Sequence, residues 1–159
     1  MNRVAYRTSV LVVVLGIAGA MTLRGQTPGS INASGGVAVQ GYDVVSYAAS
    51  QKAEKGSRAF SHDWRGVSWH FVSAAHRDRF AQAPEEFAPQ FGGFCAYGVS
   101  RGYAVDVDPQ AFAVVDAKLY LNYSKRVQRT WNQDRGSYIA KARQNWPKVS
   151  ADLDGKQDQ

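Results

Sequence analysis

Residues 58–73 read RAFSHDWRGVSWHFVS, two runs of strand-forming residues on either side of the dipeptide Arg65-Gly66. A two-residue spacing of this kind is typical of a tight β-hairpin. Side chains alternate along a strand and paired residues share a face, so we expect His62 to lie opposite Trp69 on the apolar side. This hairpin is therefore expected to supply an apolar layer of the fold.

Helical patterns follow the hairpin. Ser73 has the residue type and position of an N-cap, for a helix that runs to about Gln82. Pro84 then opens a further short turn. Amphipathic spacing predicts two more helices, over residues 124–131 and 137–146.

A second hairpin is predicted between residues 112–115 and 118–121, which flank the dipeptide Asp116-Ala117. Strands and helices therefore occur in separate runs that are joined by hairpins. This order favours a small single domain of the α+β class, with two β-hairpins and several short helices.

Ordered motifs cover most of the chain between residues 37 and 149. They are Gly41-Tyr42-Asp43, Gly66-Val67-Ser68-Trp69-His70-Phe71-Val72-Ser73, Arg77-Asp78-Arg79-Phe80, Pro84-Glu85-Glu86-Phe87-Ala88-Pro89, Gly92-Gly93-Phe94-Cys95-Ala96-Tyr97 and Lys118-Leu119-Tyr120-Leu121-Asn122-Tyr123. Together these motifs resemble the exported branch of the YHS domain-containing (seleno)protein family. The resemblance assigns residues 37–149 to a YHS-type domain.

The resemblance also suggests a kind of chemistry. YHS modules accompany heavy-metal transporters and other metal proteins, and cysteines beside their hairpin act there as metal ligands. This chain has no cysteine in the corresponding strand, residues 69–73. Some exported relatives carry selenocysteine at the position that matches Cys95, which implies a redox or soft-ligand role for this residue.

Cys95 is the only cysteine of the chain, so it cannot form an internal disulfide. It follows Gly92-Gly93, and backbone N–H groups from these glycines, or from a helix that begins near Phe94, would favour the thiolate. The alternative is that the glycines only allow two elements to approach closely and that Cys95 fills a small hole in the core.

A metal site at Cys95 would need further ligands. Met1 and Met21 are the only methionines, and they belong to the N-terminal region, so a methionine-rich site is excluded. A zinc site built from several cysteines is excluded as well. His62 is the best second ligand because it is predicted to lie on the apolar face of its hairpin.

These observations favour a binding module that holds a soft metal, copper first, through Cys95 and His62. The first alternative is a one-cysteine thiol redox enzyme, whose disulfide would have to be formed with another molecule. The second alternative is a structural or protein-interaction domain with an inert cysteine. The expected partner is accordingly a metal ion or a small thiol or redox partner, and an enzymatic role is the less favoured one.

The N-terminus predicts export. Arg3 and Arg7 precede a short apolar run that ends in a small-x-small cleavage pattern, so residues 1–20 are expected to be a signal peptide of a periplasmic or secreted protein. An uncleaved anchor is the alternative; after cleavage no stable membrane insertion is expected. Residues 21–36 are predicted to be a flexible lead-in and residues 150–159 a disordered tail.

The charge of the chain is only mildly basic. Removal of Arg3 and Arg7 with the signal lowers the formal net charge from +6 to +4. The remaining basic residues are scattered among acidic ones and form no stripe, so a nucleic-acid partner is not expected.

Overall fold

The computed structural model describes residues 30–156. The predicted signal peptide, residues 1–20, lies outside this range, as do residues 21–29 of the predicted lead-in. The described chain forms a small α+β domain with two separate sheets, which confirms the predicted fold class. Over residues 30–156, no helix is both long and apolar enough to cross a membrane.

Strands and helices alternate in short runs along the described chain. The strands are β1 (Ala33–Ser34), β2 (Val37–Ala38), β3 (Ser57–Trp64), β4 (Val67–Phe71), β5 (Asp108–Val115) and β6 (Lys118–Asn122). The helices are α1 (Val44–Ser50), α2 (Ala74–Gln82), α3 (Pro84–Phe87), α4 (Ala96–Ser100), α5 (Lys125–Asn132) and α6 (Arg135–Asp154).

The larger sheet has the strand order β1-β2-β4-β3. Strands β3 and β4 form the first predicted hairpin, in which His62 pairs directly with Trp69 as expected. Val67, Trp69 and Phe71 all point into the core, because alternate residues of β4 share a face. Both predictions for this hairpin are therefore confirmed.

Strands β5 and β6 form the second hairpin and a sheet of their own. Its turn is made by Asp116 and Ala117, whose φ angles are 49° and 57°. Both residues are left-handed, a conformation that costs a residue with a Cβ atom roughly 1–2 kcal/mol. The corresponding turn of the first hairpin has a glycine, Gly66, at its second position.

The predicted helix after the first hairpin is confirmed as α2. Its N-cap is Ser73, whose hydroxyl accepts a hydrogen bond from the backbone N–H of His76. Helix α5 begins at Lys125 and is capped by Ser124 in the same way. These two helices begin where the cap residues predict, because the capping bond is local to the sequence.

The last helix is longer than predicted, and the prediction of disorder over residues 150–159 is wrong for residues 150–154. Helix α6 begins at Arg135 and continues to Asp154. Val149 is buried, and the carboxylate of Asp154 accepts a hydrogen bond from the backbone N–H of Ser30 at 2.9 Å. These contacts with distant parts of the chain hold the last turns of the helix.

The prediction of a flexible lead-in is likewise wrong for residues 30–36. Ile31 is buried, and the backbone N–H of Asn32 donates to the carbonyl of Gly92 at 2.8 Å. A Cβ atom on Gly92 would lie 1.7 Å from the carbonyl oxygen of Ser30, so only glycine permits this approach. Residues 30–36 therefore belong to the folded domain.

The core consists of two clusters that meet near Cys95. The first includes Cys95 together with Phe71, Phe80 and Leu121. The second contains Ala96, the residue after Cys95, and residues of β6, α5 and α6, among them Tyr120, Trp131, Ile139 and Ala142. Cys95 thus lies at the boundary between the hairpin layer and the C-terminal helices.

Candidate functional site

Cys95 is the N-cap residue of helix α4 and is 1% exposed. Its Sγ atom accepts a hydrogen bond from the backbone N–H of Gly98 at 3.4 Å, within the first turn of the helix. It accepts a second from the backbone N–H of Tyr123 at 3.2 Å, directly after strand β6. Two amide dipoles from different elements therefore point at one sulfur atom, an arrangement that stabilises negative charge on it.

The source of these donors differs in part from the sequence prediction. A helix does begin at Cys95, as expected, but Gly92 and Gly93 do not donate to its sulfur. The φ angles of Phe91, Gly92 and Gly93 are all positive, and this loop turns the chain beneath residues 30–32. The two glycines thus serve close packing, the alternative role weighed for them above.

Asn122 is the third group at the sulfur. It is completely buried at the end of β6, and its Oδ1 atom lies 4.0 Å from Sγ of Cys95, within reach of the thiol hydrogen. Its Nδ2 atom has no hydrogen-bond partner among the described residues. Since a 180° turn of a carboxamide exchanges its oxygen and nitrogen, Asn122 is able to accept from a thiol or to donate to a thiolate.

The site lies only one residue below the surface. The side chain of Tyr123, which follows Asn122, is exposed, with 58% of the residue accessible to solvent. On the other side, the covering element is α4, which has five residues and ends at Ser100. Ala96 and Val99 of this helix are fully buried, so α4 is part of the core that covers the sulfur.

His62, the predicted second ligand, is on the apolar face of its hairpin as expected. Its ring contacts the ring of Phe80, with 6.1 Å between the centroids. No hydrogen bond joins His62 to Cys95 anywhere in residues 30–156. The structure therefore does not bring the two predicted site residues together as a hydrogen-bonded pair.

His70 lies on the opposite face of β4 from Trp69, because neighbouring residues of a strand alternate. Burial lowers the pKa of His70, and the nearby charges of Arg58 and Lys55 lower it further. Its imidazole is therefore held in the neutral form more strongly than that of an ordinary surface histidine.

His76 is partly buried and belongs to a polar cluster around the buried Asp43, which was not predicted from the sequence. Its Nδ1 atom lies 2.7 Å from Oδ2 of Asp43, which also accepts from the backbone N–H of Val72 at 2.9 Å. The other oxygen of Asp43 accepts from Val45 and Ser46, the first residues of helix α1. The capping role of Asp43 was detectable from its residue type before an apolar run, but nothing local indicates a contact with His76, 33 residues away.

Asp43 is fully buried, and each of its oxygens has two donors. A carboxylate offers about four lone-pair directions, so no direction remains for a metal ion or a substrate. Asp43 and His76 therefore join α1, β4 and α2, and the pair is a structural joint.

The residues around Cys95 do not fit copper. Cu(I) prefers sulfur and imidazole ligands, but the groups hydrogen-bonded to Sγ are two backbone N–H groups and a carboxamide. Within residues 30–156, no group of three or more histidine, cysteine or carboxylate side chains is arranged to hold a metal ion. The donor set is one for an anionic sulfur atom.

Comparison of the chain with protein-family models, with curated proteins and with solved structures found no match. The resemblance to the exported YHS family accordingly remains a prediction from the sequence motifs.

Proposed function

We propose that Cys95 is an oxidant-responsive thiol centre in an exported YHS-type domain. The supporting observation is the convergence of two backbone N–H groups and the Asn122 carboxamide on one sulfur atom. The role agrees with the redox chemistry implied by selenocysteine-bearing relatives. This role was the first alternative to copper binding. We favour it because amide groups are the hydrogen-bond partners of the sulfur, and no histidine is hydrogen-bonded to it within residues 30–156.

The proposed reaction needs two co-reactants from solution. The thiolate of Cys95 attacks one oxygen of a hydroperoxide, the O–O bond breaks, and the products are a sulfenic acid and hydroxide or an alkoxide. A small thiol then attacks the sulfenic sulfur, releasing water and leaving a mixed disulfide. A second thiol restores Cys95 and carries away the oxidised disulfide, so that one hydroperoxide is reduced for two thiols consumed.

Asn122 has a distinct part in each state. In the neutral thiol its Oδ1 atom is the acceptor for the S–H hydrogen. In the thiolate, a turned carboxamide would direct Nδ2–H at sulfur as a third donor beside Gly98 and Tyr123. The Nδ2 atom, which has no partner within residues 30–156, would then be used only when the charge develops.

The burial of Cys95 determines which oxidants fit. A residue that is 1% exposed admits hydrogen peroxide more readily than a bulky hydroperoxide or a protein partner. Attack by the reducing thiol requires a larger opening, which local unfolding beside the exposed Tyr123 would provide.

The test is oxidation of the full chain by hydrogen peroxide at neutral pH, with a dimedone probe to trap sulfenic acid and intact mass to count added oxygen. We expect a dimedone adduct on Cys95 and none on Cys95→Ser. Asn122→Leu lacks both the oxygen and the nitrogen of the carboxamide. It should slow oxidation by about tenfold, which corresponds to an increase of about 1.4 kcal/mol in the activation free energy. Asn132→Leu, at an exposed position of α5, is the matched control and should keep the original rate.

Two outcomes overturn the proposal. If the folded chain forms no adduct while the urea-unfolded chain does, Cys95 is an inert helix cap in a structural or interaction domain. If Cys95 instead retains Cu(I) against a chelator and Cys95→Ser does not, the copper-binding function predicted from the sequence takes its place.

A further inference from the structure

A cavity of about 470 Å³ lies away from the Cys95 site. Five parts of the chain line it: residues 30–31, the turn end of the first hairpin, Glu85 of α3, residues 88–92 and one face of α6. Its volume falls in the range of small-molecule sites, which are roughly 300–1,000 Å³. Neither Cys95 nor Asn122 contributes to its lining, so the cavity is independent of the proposed thiol chemistry.

Helix α6 supplies a continuous stripe of the lining. Arg143, Trp146, Pro147, Ser150 and Asp154 are spaced by three and four residues, so they follow one side of the helix. Arg143 and Asp154 stand at the two ends of this stripe. A rise of 1.5 Å per residue places them about 16 Å apart along the helix axis.

Some charged side chains of the cavity lining have hydrogen-bond or ion-pair partners within the described residues, and one does not. Glu85 forms an ion pair with Arg65 at 3.1 Å, and Asp154 accepts the backbone N–H of Ser30. Arg143 has neither a hydrogen bond nor an ion pair within the part of the chain that the structure describes. Its guanidinium group is thus the cation of the cavity that remains open to a ligand.

Aromatic rings stand beside this cation. Trp146, one turn further along α6, is held by Phe91 and Phe94, with centroid distances of 5.9 and 6.5 Å. Trp64 is held by Trp69 at 5.7 Å, and the guanidinium of Arg65 covers its ring at 4.5 Å. The indoles of Trp64 and Trp146 are partly exposed and fixed by neighbours, so they offer a ligand apolar area at low cost in conformational entropy.

We propose that this cavity binds a small aromatic monocarboxylate. The carboxylate pairs with the guanidinium of Arg143, whose planar fork matches it in a bidentate geometry. The aromatic body of the ligand packs against the indoles that line the cavity. The negative Asp154 at the far end of the stripe disfavours a second carboxylate there, which selects a monocarboxylate over a dicarboxylate.

The test is calorimetric titration of the full chain with indole-3-acetate and with its neutral amide, indole-3-acetamide. We expect the acid to bind at least tenfold more tightly than the amide. Arg143→Gln should remove this preference and leave binding of the amide unchanged, whereas Trp146→Leu should weaken both probes. Lys141→Gln is the matched control, since it removes one positive charge from an exposed position of the same helix outside the cavity.

Thermal unfolding of each variant verifies that it is folded under the titration conditions. Arg143 is exposed, so its replacement should leave the melting temperature unchanged. Equal affinity for acid and amide in the original chain overturns the proposal. An equal loss of the preference for the acid in Arg143→Gln and Lys141→Gln also overturns the proposal, because the effect would then follow net charge. The absence of binding heat for both probes at millimolar concentration overturns it too.

Discussion

Asp43 and Asn122 are both polar, both completely buried and both at the end of an element, yet their hydrogen bonds differ. The carboxylate of Asp43 has four donors for its two oxygens. The carboxamide of Asn122 has one long contact to a thiol through Oδ1, and its Nδ2 atom has no partner among the described residues.

The carboxylate is fully paired, whereas the carboxamide is not. A buried polar group is normally paired, since an unpaired one costs about 1–3 kcal/mol. Asp43 meets this requirement fully and therefore contributes to stability. Asn122 does not meet it in the resting state, and the thiolate of Cys95 is the neighbour that would use its free donor.

The largest expected change in the free energy of unfolding is that of Asp43→Asn. Asp43→Asn removes the charge and turns an NH₂ group towards backbone N–H groups or His76, so at least one buried donor loses its acceptor. Disruption of a buried charged network of this kind costs about 3–5 kcal/mol. Urea unfolding followed by tryptophan fluorescence measures the loss.

Asp134→Asn is the matched control. Asp134 caps α6 through the backbone N–H of Ser137 but is exposed, and asparagine caps a helix about as well as aspartate. This variant should stay within about 0.5 kcal/mol of the original protein. If Asp43→Asn is equally mild, Asp43 is not the structural joint described here.

The second effect concerns the backbone donors at Cys95. Cys95→Ala leaves the N–H groups of Gly98 and Tyr123 without their acceptor and should cost about 2 kcal/mol. Cys95→Ser keeps an acceptor in a good N-cap residue and should recover about half of that loss. Unfolding curves in urea, with both chains reduced, provide the comparison.

An equal loss in the alanine and serine variants would contradict this account. It would mean that Cys95 contributes to stability through its volume in the core, and that the two N–H···S hydrogen bonds contribute nothing measurable.

The sequence predicted those parts of the structure that depend on local pattern. The turn at Arg65-Gly66, the pairing of His62 with Trp69 and the cap at Ser73 follow from residues close together in the chain. The last turns of α6 and the fold of residues 30–36 were missed because both depend on contacts between distant parts of the chain, such as the bonds from Ser30 to Asp154 and from Asn32 to Gly92.

The candidate site shows the same limit. Cys95 could be singled out because it is the only thiol and lies in a glycine-rich loop. One of its donors, Tyr123, lies 28 residues further along the chain, and no periodicity or spacing indicates that contact. Sequence therefore singled out the thiol, whereas packing determined which groups surround it and left His62 without a hydrogen bond to it.

A smaller effect is expected at the turn of the hairpin that carries Asn122. Ala117 is left-handed, with φ at 57°, so Ala117→Gly relieves backbone strain but loosens the unfolded chain. The net result should be a gain of about 0.5–1 kcal/mol, measured by urea unfolding. Gly66→Ala, at the second turn position of the other hairpin, should lose a similar amount.

The Ala117→Gly variant also tests whether the Asn122 carboxamide itself, and not the stability of its hairpin, affects oxidation of Cys95. It strengthens the hairpin beneath Asn122 without changing either atom of the carboxamide. Oxidation of Cys95 by peroxide should therefore proceed at nearly the original rate. A large decrease would indicate that oxidation depends on opening of this hairpin and not on the groups that contact sulfur.

A similarly small effect on stability, but the most decisive result for function, is expected for Asn122→Leu. The substitution removes a buried donor that has no partner, and leucine is similar in size, so the free energy of unfolding should change by no more than about 1 kcal/mol. Asp43→Asn and Asn122→Leu would then differ by several kcal/mol although both remove a fully buried polar group. If Asn122→Leu proves as destabilising as Asp43→Asn, the carboxamide is a structural joint like the carboxylate. Slower oxidation of Asn122→Leu would then reflect a damaged core.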